Sequence, residues 1–305
     1  MTRFIFQRAL DSLITLVVLL ILVFCLTRVT GDPALLFLPE TATPEQREAF
    51  AIAQGYADPI YVQFGRYVLG LVQLDFGRSM FQQRPAIEAV AEALPTTLTL
   101  ASICLTVSVV VAVTIGCLAA SKPTGLFDRV ATILSLIGGS APDFWIAIVG
   151  ILVFSVALGW LPTSGTGGVQ YWIMPVVVVA LRPVAVLTQI VRGAMISALS
   201  APYVKAARAK GVGNTAILVK HALRSSLLPT ITVIGTIAVG MINGSVIAES
   251  VFGLQGMGKL LIDAIFQRDF AVVQTVVMVI AIGIFVLNIL IDVLYVVVDP
   301  RIRHT

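Results

Sequence analysis

Reactive side chains are scarce in this sequence, and the scarcity constrains function. Its two histidines, His221 and His304, both lie near basic residues, and no His-Glu-x-x-His string or paired acid and base occurs. Cys25, Cys104 and Cys117 stand singly in apolar runs, so they read as packing residues with neither a disulfide nor a metal role. Glycines 253, 256 and 258 do not form a phosphate loop, because no strand pattern precedes them and Lys259 is followed by Leu260 instead of Ser or Thr. What remains is polarity in apolar surroundings: Asp143 beside Pro142, Arg182 beside Pro183, and Asn243 among glycines. Ionisable groups inside apolar spans mark substrate or ion pathways. Binding and passage, not bond making, is the chemistry such residues can do, so the three are assigned to a translocation pathway.

The elements that position them are membrane spans. The 305 residues are 58% apolar and only 12% charged, with a mean hydropathy of +1.00, far outside soluble composition. About 20 apolar residues cross a bilayer, which allows several spans and no large extra domain. The net charge of +4 does not indicate nucleic acid, because the basic residues collect in loops between apolar runs.

Six spans are expected, with both ends in the cytoplasm. The first covers about Ala9–Val29 and, lacking a small-residue cleavage site, is read as uncleaved. Residues 30–94 hold eight acids against four bases and belong outside. There, Thr43 and Pro44 begin a helix, and residues 61–74 show helical apolar spacing suited to the membrane surface or the outer mouth. The second span opens at Pro95 and runs to about Ala120. The third, about 127–158, is broken at 138–145 by two glycines and Pro142, which places Asp143 mid-span either as a cap for freed backbone amides or as a functional carboxylate. The fourth, about 172–197, is kinked at Pro183; its Arg182 either pairs with Asp143 or holds a substrate carboxylate, and Arg192 snorkels to the inner surface. The fifth, about 229–247, is glycine-rich for close helix approach. Residues 249–270 are amphipathic and turn back outside, and the sixth span covers about 271–298. By domain, this divides the chain into 1–29, an extracytoplasmic cap at 30–94, and a core at 95–305 with a cytoplasmic loop at 198–228.

That loop contains Pro202 to Pro229, which carries Lys205, Arg208, Lys210, Lys220 and Arg224 and no acid. Lysine and arginine excess places it in the cytoplasm. Pro202 suits a first helical turn, Ala206, Ala207 and Ala209 favour helix, and Gly211 stops it in the left-handed conformation. A short exposed helix with small central side chains lets another protein approach its backbone.

Ala206-Ala207, three residues, then Gly211 resembles the cytoplasmic EAA loop of ABC-importer permeases. The strings Tyr203 to Gly211 and His221 to Pro229 resemble the dipeptide, oligopeptide and nickel importer branch. Lys205 stands where the general motif has Glu, and Pro229 falls later than the general spacing; both departures match the branch. Gly31-Asp32-Pro33-Ala34, Asp75-Phe76-Gly77-Arg78-Ser79, Glu249 to Leu260 and Asp299-Pro300-Arg301 extend the resemblance over nearly the whole chain.

The resemblance implies an all-α polytopic protein of the type I importer permease fold in a bacterial or archaeal inner membrane. Its implied partners are a second homologous permease, two ATP-binding subunits and an extracytoplasmic solute-binding protein. ATP and magnesium would sit on the ATP-binding subunits, with no cofactor on this chain and no enzymatic role for it. Tyr203, Ala206, Ala207, Arg208, Lys210 and Gly211 would couple to the ATPase. Di- and oligopeptides, nickel complexes, glutathione and sugars all fit the branch. The competing reading is an ion-coupled secondary transporter using Asp143, Arg182 and Asp292; against it, no internal repeat is visible and a basic docking loop would serve nothing.

Overall fold

The computed structural model describes residues 14–25, 38, 42–53 and 55–298, without the side chains of 228, 243, 292 and 294–298. These residues are predominantly helical. Two compact units divide the chain, Met1–Pro95 with Lys259–Phe285, and Thr96–Gly258 with Val286–Thr305.

In the first unit, helix α1 (Ile14–Cys25) is the described part of the expected first span. Its Phe24 is buried against the aromatic rings of Phe64, edge-on at 5.2 Å, and Tyr67, stacked at 5.7 Å, on helix α3 (Ile60–Val72). Helix α2 (Pro44–Ala53) starts where Thr43 and Pro44 place it, and by a reciprocal cap: the Gln46 N–H donates to Thr43 Oγ1 at 3.3 Å and the Thr43 N–H to Gln46 Oε1 at 3.0 Å. The turn after α3 is closed by Asp75, whose Oδ1 accepts the N–H of Gly77 at 2.9 Å. Ser79, almost fully buried, then donates its hydroxyl to the buried Asp269 carboxylate. Asp269 also receives the Val272 N–H, capping the last helix of the chain.

Helix α4 (Ala86–Ser121) begins nine residues before Pro95, which was expected to open it. Proline cannot donate to the carbonyl of Ala91, but Ala91 and Pro95 both lie on an exposed face, so that carbonyl can find another donor. Glu88 and Glu92, expected in a loop, are therefore helical, and Glu92 accepts from Arg84 at 2.7 Å.

In the second unit, α5 (Leu126–Ser140) and α6 (Asp143–Gly150, continued by a wider π-helical segment Ile151–Ala157) meet at a 101° bend. The break is shorter than expected, because Gly138 and Gly139 stay helical. A Cβ on Gly138 would lie 3.3 Å from Leu181 and one on Gly139 3.6 Å from Ala185, so these glycines let α5 lie close on α7 (Gln170–Ser200). The bend belongs to Pro142, which forces Ala141 into the extended region at ψ 136°. Helix α7 runs unbroken through Pro175 and Pro183. It is followed by the short helix α8 (Pro202–Ala209), and a π-helical turn Ile217–Ala222 leads into α9 (Leu223–Phe252). Helix α9 packs along α7 and α6. Helix α4 meets α7 through small residues: Cys104 and Ser108 point at the Val176 and Ala180 carbonyls, and Gly116 faces Val191. Leu100, Met174, Val178, Met241 and Phe252 fill the core between them.

Helices α10 (Met257–Phe266) and α11 (Phe270–Val298) complete the described chain. Among the described residues, three helices, Ala86–Ser121, Gln170–Ser200 and Phe270–Ile291, are long and apolar enough to cross a membrane, and up to six if each bent pair counts as one span. Val110, Ile133, Leu134 and Ile137 stand exposed on α4 and α5, a distribution suited to lipid contact and unfavourable in water.

Candidate functional site

Three places carry the unusual chemistry of the second unit. The first is α8. Ala201 enters in the extended region at ψ 150°, Pro202 occupies the first turn, and Val204, fully buried, is the side chain that seats the helix. Lys210 caps the far end and Gly211 lies at φ +77°. The Gly211 N–H donates to the Arg208 carbonyl at 3.0 Å and the Val212 N–H to the Ala207 carbonyl at 3.2 Å. These two bonds are the complete glycine-terminated helix ending, which satisfies carbonyls that would otherwise lack donors. Tyr203, Ala206, Arg208, Lys210 and Gly211 are exposed, and Ala207 is half-buried. Tyr203 donates to Ser225 Oγ at 3.1 Å across the loop. Lys205, Lys220 and Arg224 are exposed as well, so α8 and the segment after it present cations and small alanine side chains on an exposed surface of the unit.

The second place is a cavity of about 290 Å³, lined by Asp143 at the start of α6, Arg182 and Pro183 on α7, and Thr236, Gly240 and Gly244 on α9. Asp143 and Arg182 thus share one cavity, but the ion pair that was one of the two alternatives for Arg182 does not form. Among the described residues neither has a hydrogen-bond partner; Arg182 is exposed and Asp143 half-buried. Two unlike charges face an apolar-walled space without neutralising each other. Gly240 and Gly244 open onto this space, with nothing near a Cβ built on them, whereas Gly235 makes the close helix contact, its Cβ position 2.8 Å from Ile291. The side chain of Asn243 lies outside the described residues, as do the side chain of Asp292 and the 299–303 ending.

The third place was not predicted from the sequence. Glu249 was expected in an outer turn-back segment, yet it sits in the last turns of α9 and is fully buried. Its Oε1 accepts the Thr97 hydroxyl at 2.8 Å and its Oε2 the Gly258 N–H at 2.7 Å, while Thr97 Oγ1 in turn accepts the Met257 N–H at 2.8 Å. Gly253 ends α9 at φ +67°. A Cβ at Gly256 would fall 2.3 Å from Glu249 Oε2, and one at Gly258 2.5 Å from the Val246 Cα. The glycines at 256 and 258 let the chain close over a buried carboxylate, which explains their spacing without a phosphate.

A second correction concerns Arg192. It is not a free anchor: Nε donates to Oδ1 and Nη2 to Oδ2 of the buried Asp128, the latter at 2.8 Å. No local pattern could have revealed this, since the partners lie 64 residues apart. Among the described residues no cluster of three His, Cys, Asp or Glu could hold a metal, and Cys104 and Cys117 are buried and free.

The family model described as "Binding-protein-dependent transport system inner membrane component" matches residues 112–304, and that of the corresponding N-terminal region matches residues 1–101. The chain is 35% identical over 316 residues to the oligopeptide transport system permease protein AppB of Bacillus subtilis (strain 168), covering 100% of both chains. It is 33% identical over 305 residues to the glutathione transport system permease protein GsiC of Escherichia coli (strain K12), again covering 100% of both. Its fold is similar to a chain of the inward-facing MetNI methionine ABC transporter, with a TM-score of 0.59 and 16% identity over 69% of this chain and 96% of that one.

Proposed function

Since this chain belongs to the family of binding-protein-dependent transport system inner membrane components, it is the multi-pass inner-membrane permease of an ABC importer, and we propose that it forms half of a pathway for di- and oligopeptides, driven through α8. The second half is a homologous permease, and an extracytoplasmic binding protein delivers the solute. Two ATP-binding subunits, carrying ATP and magnesium, dock on Tyr203, Ala206, Ala207, Arg208, Lys210 and Gly211. Six spans with both ends in the cytoplasm put that surface on the ATP side, consistent with the five cations between Pro202 and Pro229.

The observation that carries the reading is α8: an eight-residue helix with its carboxyl end satisfied, held by the buried Val204 and the half-buried Ala207 and exposed elsewhere, following the long span α7 across Ala201 alone. Displacing it must displace α7, and α7 carries Arg182 into the cavity. The cavity suits a peptide in transit. Asp143 offers a carboxylate to an ammonium, Arg182 offers a guanidinium to a carboxylate, and apolar walls tolerate varied side chains. Weak contacts of this kind let a solute enter and leave, while selection rests with the delivery protein. The names of the two relatives, one an oligopeptide and the other a glutathione permease, support that class.

The test is Ala207→Trp in the complete transporter. The variant should insert in the membrane but fail to co-purify with the ATP-binding subunits and lose uptake of a labelled tripeptide. Retained subunits and normal uptake would remove the docking assignment. Uptake should also cease without the ATP-binding subunits, and ion-driven uptake in their absence would contradict the pathway as described.

A further inference from the structure

Resting on the reading of α8 as the motor's contact, we propose that the Asp128–Arg192 pair is the strut that passes its displacement to the broken span and so to the cavity. Arg192 lies eight residues before Ser200, where α7 ends and α8 follows across Ala201. Asp128 lies in the first turn of α5, whose other end is the Pro142 bend and then Asp143. The pair therefore ties the two helices at the end nearest α8, while the cavity lies at the other end of α5.

Its construction is unlike a surface ion pair. Asp128 is 2% exposed, both carboxylate oxygens are engaged by one planar guanidinium, and Oδ2 also receives the Thr124 N–H at 2.8 Å. Thr124 takes the left-handed conformation at φ +65° to present that N–H, a cost that a β-branched residue bears only when its surroundings impose it. The two-pronged geometry fixes angle as well as distance. Higher on α5, Gly138 and Gly139 meet Leu181 and Ala185 of α7 through apolar contact, which is not directional. A helix pair pinned at one end by a rigid fork and resting on glycine at the other can turn about the pinned end. A shift of α7 by the motor then swings α5, and the bend at Pro142 converts the swing into movement of Asp143 relative to Arg182.

The experiment uses the complete transporter in proteoliposomes with its binding protein and a tripeptide, and compares Arg192→Gln, Arg192→Lys and Asp128→Asn. Three quantities are read: ATP-binding subunits retained, ATP hydrolysed, and peptide taken up per ATP. The strut predicts retained subunits and continued hydrolysis, with uptake per ATP lower by about tenfold in Arg192→Gln and Asp128→Asn, within the usual range of coupling between linked sites. Arg192→Lys keeps the charge and loses the fork, so it should recover part of the ratio. A purely structural pair would lower hydrolysis and uptake together and leave their ratio unchanged, which would overturn the proposal. If the two neutral variants fail to assemble, Arg192→Lys decides, because an unaltered ratio there overturns the strut. Failure of the docking reading is separate: it appears as subunits retained by Ala207→Trp, whatever the ratio in the Arg192 variants.

Discussion

Replacing Gly258 by alanine tests the packing around Glu249 with one added carbon. The new Cβ would lie 2.5 Å from the Val246 Cα and 2.9 Å from Glu249 Oε2, against an ordinary contact distance of 3.4 Å or more. Because the nearest atom is backbone, no rotamer change relieves the clash, and the chain at 256–258 must move from α9 by roughly 1 Å, an overpacking that costs about 1–3 kcal/mol. That movement stretches the 2.7 Å bond from the Gly258 N–H to the carboxylate, and a hydrogen bond to a charged group contributes about 1.5–3 kcal/mol. Alanine returns about 0.4–1 kcal/mol by restricting the unfolded chain, leaving a net loss of about 1.5–5.5 kcal/mol. Spread over a chain of this size, whose unfolding entropy is about 0.6 kcal/mol/K, the expected fall in melting temperature is about 2–9 °C. The assay is thermal unfolding of the detergent-solubilised permease, followed by size-exclusion of the surviving folded fraction. Gly193→Ala is the control, because Gly193 lies in α7 with nothing within 4 Å of its Cβ position; it should melt at or slightly above the parent temperature. Equal melting of the two variants would refute the view that this glycine is there to admit the carboxylate.

Other outcomes follow from the same geometry. Thr97→Val keeps the shape but removes the hydroxyl that links Met257 to Glu249; it should destabilise the solubilised protein by about 1–3 kcal/mol, read as a lower denaturation midpoint. Asp143→Asn and Arg182→Gln should reduce tripeptide uptake in the assembled transporter with normal amounts of inserted protein, whereas Glu45→Gln, at an exposed position of α2, should leave uptake unchanged. Gly211→Val forces a β-branched residue to φ +77°, which should fray the end of α8 and lower ATP-binding-subunit retention; full retention would show that this helix ending is not needed for docking.

Local chemistry makes much of the chain legible from sequence. Apolar runs too long for a soluble core mark the spans, and the acid-free stretch from Pro202 marks a loop outside them. Pro202, three alanines and Gly211 specify α8 to within one residue at each end, because helix start, propensity and left-handed stop are all decided by neighbours along the chain. Asp143 and Arg182 stand out because charge is conspicuous in an apolar run. The glycines mislead where they act at a distance: 138 and 139 look like a break and are a helix contact, and 253–258 look like a surface turn and enclose a buried carboxylate.

Only tertiary structure could decide the partnerships. Thr97 and Glu249 lie 152 residues apart, Asp128 and Arg192 64, and Ser79 and Asp269 190. Spacing along a chain reports which side chains share a helix face, and it carries no information about which face of another helix they will meet. Whether Arg192 reaches solvent or a buried acid, and whether Glu249 is surface or core, depends on how helices stack, which is settled by shape and burial over the whole unit.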